Sequence, residues 1–70
     1  MLPLSFATVG EECTITSVGG TPEMKKHLED MGFTVGGKVT VMSRNGGNII
    51  VSVKDTRVAL DESLANKIKI

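Results

Sequence analysis

Three constellations in this 70-residue chain carry residue types that can do chemistry. The first is Gly32-Phe33-Thr34-Val35-Gly36-Gly37-Lys38, which has the G-x-x-x-x-G-K spacing of a phosphate-cradling loop. The next residue is Val39, where a magnesium ligand would have to be Ser or Thr. The order is also reversed. A phosphate loop leaves a strand and enters a helix, whose N-terminus faces the anion. This segment leaves a helical pattern and enters a strand pattern, so a helix cap followed by a turn is expected. The second constellation is Cys13 with His27, accompanied by Met24, Met31 and Met42. These are soft or borderline metal ligands. With one Cys and one His, the four-ligand zinc sites of small domains are excluded. A Cys-His pair can also serve nucleophilic catalysis, but no third orienting group stands out. Cys13 and His27 stay as weak metal candidates, and methionines at helical spacing are read first as core filler. The third is the adjacent carboxylates Glu11-Glu12 and Asp61-Glu62. Neighbours on a strand point to opposite faces, so Glu11 and Glu12 do not converge. No catalytic constellation results, and an enzyme is not expected.

Composition narrows the classes further. Eight Lys and Arg balance eight Asp and Glu, for a formal net charge of zero. No basic stripe exists to displace counterions from phosphates. Two Phe and no Trp or Tyr give no stacking platform for single strands. Nucleic acid is therefore not an expected partner. Apolar runs are too short to span a bilayer, and the N-terminus lacks the charged and apolar regions of a secretory leader. A single unpaired thiol fits a reducing compartment, so a cytoplasmic location is expected. Zero net charge permits self-association.

The elements that must position these groups follow from local patterns. Glu11 to Val18 alternates with β-branched residues and reads as a strand. Thr21 to Met31 reads as the one clear helix, with Thr21 as cap and Pro22 at the first position. Met24, Leu28 and Met31 make one apolar stripe, and Gly32 sits where a left-handed residue ends a helix. Lys38 to Arg44, Ile49 to Val53 and Arg57 to Leu60 read as a meander of three strands. Asn45-Gly46-Gly47-Asn48 and Lys54-Asp55-Thr56 form its turns. Asp61 can cap a short helical turn through Lys67, and Ile68-Lys69-Ile70 reads as a closing strand. The sum is one domain over 1–70, mainly β. It is a small barrel of five to six short strands with one inserted helix and a short C-terminal helical turn.

Several of these segments resemble a known family. The run from Met24 through Phe33 and the Val35-Gly36-Gly37-Lys38-Val39 beyond it are similar to the helix and glycine cap of the FeoA family, ferrous iron transport protein A. Leu4-Ser5, Gly10-Glu11, Val58-Ala59-Leu60, Ala65 and Ile68-Lys69-Ile70 match that family's pattern in order along the chain. Two positions depart from it. His27 stands where Arg is common, and the Asn45–Asn48 turn is short and lacks proline. The resemblance implies an SH3-like barrel, similar also to the C-terminal domain of DtxR-type iron-dependent repressors. It implies an accessory role in ferrous iron uptake, with the cytosolic part of the GTP-binding permease FeoB as partner. A sensor or carrier of Fe2+ or another transition metal is the alternative.

A chain this short buries only about 60% of its unfolded surface. Apolar residues left outside are then candidates for a partner site. The expected docking surface is the helix and its cap: Met24, Leu28, Met31, Gly32 and Phe33. Arg44, beside a flexible turn, is the candidate regulatory residue, because some GTPases take a supplied Arg from a partner.

Overall fold

Thr21, Pro22 and Glu23 start a helix in the way their side chains favour. The Thr21 hydroxyl accepts the Met24 amide at 3.2 Å, and Pro22 occupies the first turn, where its missing donor costs nothing. This helix, α1, spans Pro22–Asp30 in the computed structural model, which describes Met1–Ile70. Before it come strands β1 (Glu12–Thr14) and β2 (Ser17–Val18). After it come β3 (Lys38–Asn45), β4 (Asn48–Val53), β5 (Thr56–Asp61), helix α2 (Glu62–Ala65) and β6 (Ile68–Lys69). A short 3-10 turn at Leu4–Phe6 precedes them all.

The strands make two sheets. One has the order β1-β3-β4-β5 and is antiparallel throughout, and the other joins β2 to β6. The expected single strand over 11–18 is divided between them. Ile15 is the joint. Its amide donates to Gly37 and its carbonyl accepts from Gly36, while Thr16 already donates to Lys69 in the other sheet. The terminal strand does not close the large sheet. It lies between β2 and the N-terminal segment, where Leu2 and Ile70 exchange hydrogen bonds of 3.0 and 2.8 Å and Pro3 bridges to Lys69. The barrel is thus two sheets around one core, without a continuous hydrogen-bonded cylinder.

Both turns of the meander obey backbone sterics. Gly46-Gly47 is a two-residue loop with only Gly46 at positive φ (64°), which glycine tolerates without strain. Lys54 and Asp55 both adopt positive φ, 49° and 62°, the pattern whose twist matches a tight hairpin. Asp61 caps α2 by accepting the Leu64 amide at 2.8 Å, as its position predicts.

The inward faces of these elements meet in one cluster of 13 buried apolar residues. Every β4 residue at alternate positions joins it: Ile49, Val51 and Val53. Ile15, Val39, Val41 and Leu60 come from the neighbouring segments, Leu4 and Ala7 from the N-terminal turn, and Ala65 and Ile68 from the C-terminal end. A register shift between Val41 and Ser43 bulges β3 at Met42 and turns its last residues away from the core. From α1 only Leu28 reaches the cluster fully, and Phe33 follows one turn later. Leu28→Ala is expected to lower the unfolding free energy by about 2–5 kcal/mol, as for other fully buried leucines, which is a large share for so short a chain. Urea titration followed by circular dichroism measures it.

Candidate functional site

The structure moves the centre of interest away from α1. Leu28 and Phe33 have no exposed surface at all, and Gly32 is buried beside Val53. They hold the helix to the barrel, so as contact residues for a partner Leu28, Gly32 and Phe33 are corrected: the centre of the stripe and its cap are spent on the core. Met24 and Met31 are half-buried and are the part of the stripe that keeps some surface. Gly32 has φ 106°, and its amide donates to Glu29 while the Phe33 amide donates to Leu28. This is the left-handed helix end that the sequence suggests.

The phosphate-loop spacing has a structural outcome too. The amides of Gly32, Phe33, Thr34, Gly36 and Gly37 all donate to backbone carbonyls, which leaves only that of Val35 without such a partner, and one amide is not an anion cradle. Cys13 lies on the inner side of β1 and packs against the core, and its thiol faces the Glu11 carbonyl at 3.7 Å. His27 sits on the exposed side of α1. No three His, Cys, Asp or Glu side chains are grouped as a metal site would require.

Arg44 is the residue whose reading changes most. Far from being loose beside a turn, its guanidinium crosses to the 3-10 turn. Nη1 donates to the Ser5 carbonyl at 2.5 Å and Nη2 donates to the Ala7 carbonyl. The planar fork of Arg suits two acceptors at once. Two of its five N–H donors are engaged, so the residue expected to be a free regulatory finger is also a clamp on the N-terminal segment.

Between the two clamped carbonyls stands Phe6. Leu4 and Ala7 on either side are buried, and Phe6 is left 69% exposed. It forms one wall of a groove of about 210 Å³ lined by Ser5, Arg44, Gly46, Gly47, Ile49 and Glu62. Ile49 provides an apolar floor and Glu62 a carboxylate at the start of α2. A Cβ built on Gly46 or Gly47 would meet nothing within 4 Å, so the hairpin leaves that rim open. The groove suits an apolar side chain with a cation beside it, since Phe6 offers a ring face and Glu62 a charge. Sequence reading missed this site because Phe6 lies in a segment with no periodicity. That one of the two aromatics stays outside the core is visible only once the chain has folded.

A second depression, of about 260 Å³, lies on the outer side of the large sheet, lined by Glu12, Lys38, Thr40, Ser52, Lys54 and Asp55. It is wholly polar, and Lys38 is already bonded to the Thr14 hydroxyl at 2.6 Å.

Comparison with known proteins bears on this architecture. The family model described as the FeoA domain matches residues 2–70. The chain belongs to the FeoA family. A protein of Methanocaldococcus jannaschii named "Putative Fe(2+) transport protein A" is 33% identical over 70 residues, covering 100% of this chain and 85% of that protein. The FeoA crystal structure described as an iron uptake regulatory protein superposes with a TM-score of 0.87 at 28% identity, over 96% of this chain and 91% of that one. FeoA of Stenotrophomonas maltophilia, solved in complex with zinc and described as a procaryotic SH3 domain protein, gives 0.85 at 24% identity over 99% and 88%. The fold also recurs in a manganese-dependent transcriptional repressor, with a TM-score of 0.83 at 22% identity, over 94% of this chain but only 38% of the repressor. The SH3-like fold and the FeoA resemblance are thereby established, and FeoA membership gives the chain an accessory role in iron transport. No helix is long and apolar enough to cross a membrane.

Within this FeoA chain the Arg44 clamp is directly testable. Arg44→Ala is expected to cost about 1–2 kcal/mol, the range for hydrogen bonds to a charged group with partial exposure. It should speed amide exchange in residues 4–7. Arg44→Lys should recover only part of the loss, because a lysine cannot span both carbonyls.

Proposed function

We propose that this chain is a cytoplasmic, non-enzymatic regulator of ferrous iron uptake that docks on the cytosolic part of the GTP-binding permease FeoB. Family membership supports the iron-transport part. The observation that carries the docking part is Phe6, an aromatic side chain held out of the core by buried neighbours and by the Arg44 clamp. Ordering such a side chain before binding reduces the entropy lost in the complex, and aromatic anchors beside a pocket dominate many interfaces.

The mechanism needs no chemistry in the small chain itself. A partner that binds one state of the permease more tightly shifts its population by that difference in affinity. The groove would take an apolar side chain over Ile49, with a Lys or Arg beside Glu62 and Phe6. A carrier of Fe2+ or another transition metal is the other function class considered. The placement of Cys13 on the core side of β1 and His27 on the exposed side of α1 gives it no support.

Phe6→Ser and Gly47→Leu test the groove from its two rims. Gly47 has no positive φ and open space around its missing Cβ, so both variants should keep the fold. Calorimetric titration with the soluble cytosolic part of the permease should show at least about a tenfold loss of affinity for each, the effect of removing or blocking one anchor. Full affinity in a folded Phe6→Ser protein would remove the groove as the docking site. Met24→Glu in the same assay reports on the helix face, and a loss there alone would return the interface to α1.

A further inference from the structure

We infer that two copies of this chain pair through the free edge of β5, in a register centred on Ala59. The inference stands apart from the groove, since it concerns the sheet's outer edge and a second copy of the same chain.

Sheet edges elsewhere in the molecule are short or covered. β6 is paired on both sides, by β2 and by the Leu2–Pro3 segment, and β1 is a three-residue strand. β5 is six residues long, pairs only with β4, and does so without a bulge. Its sequence, Thr56 to Asp61, contains neither the Lys nor the Pro that usually guards an exposed edge.

Register fixes which groups face outward. The two-residue turn Lys54-Asp55 makes Val53 and Thr56 a hydrogen-bonded pair. Alternation then gives hydrogen-bonded pairs at Val51 with Val58 and Ile49 with Leu60. Arg57 and Ala59 therefore point their N–H and C=O groups away from β4. Neither residue's backbone has a partner among the turn, loop and side-chain hydrogen bonds of the molecule.

A second copy meets this edge by a two-fold axis through Ala59. In that register Ala59 lies opposite Ala59, and Arg57 lies opposite Asp61 of the second copy, twice by symmetry. All three residues are exposed and share the outer face of the sheet, because they alternate with Val58 and Leu60. Opposite charges directly across strands attract. Sliding the axis to Arg57 would oppose two arginines, so charge selects the Ala59 register. The small Ala59 side chains let the backbones approach, and Ile50, its partner on β4 and 36% exposed, extends an apolar strip on each side of the axis. The formal net charge of zero adds no long-range repulsion between copies.

Light scattering and sedimentation of the full chain from micromolar to millimolar concentration test the pairing. The mass should rise from 7.4 kDa toward twice that value. Over the same range the Arg57 and Ala59 amides should gain protection from exchange at least tenfold, whereas the Val35 amide should not change. Arg57→Asp places like charges opposite and should stay monomeric. Asp61→Arg should do the same, with circular dichroism checking that α2 survives loss of its cap. An equimolar mixture of the two variants restores both opposite-charge pairs and should dimerise again. A wild-type chain that is monomeric throughout leaves the edge to some other strand and overturns self-pairing. A dimer that persists unchanged in Arg57→Asp, or one that leaves the Arg57 and Ala59 amides unprotected, overturns the β5 interface.

Discussion

Gly32 stands between Leu28 and Phe33, and the left-handed turn it makes determines how the helix and the sheet share one core. With φ at 106°, the chain reverses sharply enough for Phe33 to return under the helix that Leu28 already anchors. No other residue of α1 is fully buried. The helix is therefore held at one end by two apolar side chains and a glycine, and the entry into β3 follows from where Phe33 lands. A Cβ at Gly32 would meet Val53 only at ordinary contact distance, so the demand for glycine there is conformational rather than spatial.

That constraint explains why Leu28, the centre of the apolar stripe on α1, is unavailable as a recognition surface while Met24 and Met31 keep some of theirs. Surface-to-volume scaling suggests that so short a chain leaves much of its apolar surface outside. It does not say which residues stay out. The core takes the residues that lie on alternate strand positions or at helix ends, where backbone geometry already points them inward. Those excluded are in segments without that geometry: Phe6 in a 3-10 turn, Val35 in the loop after α1, Met42 at a bulge. Apart from Ile50 on the outer face of β4, these exposed apolar side chains sit where secondary structure is irregular, and the groove beside Phe6 is one consequence.

The legible parts of the fold were those with a local cause. The Thr21 cap, Pro22, the Gly32 helix end, both hairpin turns and the Asp61 cap each follow from side-chain chemistry within about four residues. The parts that were not legible depend on distant partners. Ile15 splits one apparent strand into two because the Gly36–Gly37 turn takes its backbone groups. Ile68 to Ile70 alternate as a strand should, but nothing in them says that β2 and Leu2 flank them. Arg44 looks mobile beside its glycine turn until the carbonyls of Ser5 and Ala7, far away in sequence, accept from its two terminal nitrogens. The candidate site was illegible for the same reason, since Phe6, Gly47, Ile49 and Glu62 meet only after the sheet has formed.

The Arg44 clamp also joins the two ideas that a small barrel must reconcile, stability and recognition. An N-terminal segment is usually the least ordered part of a domain. Here it is fixed three times: Leu2 pairs with Ile70, Leu4 and Ala7 enter the core, and Arg44 binds the carbonyls on either side of Phe6. The core gains two side chains that the meander alone does not supply, and the cost is an aromatic ring that cannot turn inward while its neighbours do. Phe6 is exposed because Leu4 and Ala7 are buried, so any change that frees the segment would both loosen the core and release the ring. The exposed ring and the groove beside it are in that sense a by-product of how the fold secures its first seven residues, and the docking proposed there requires no separate structural element.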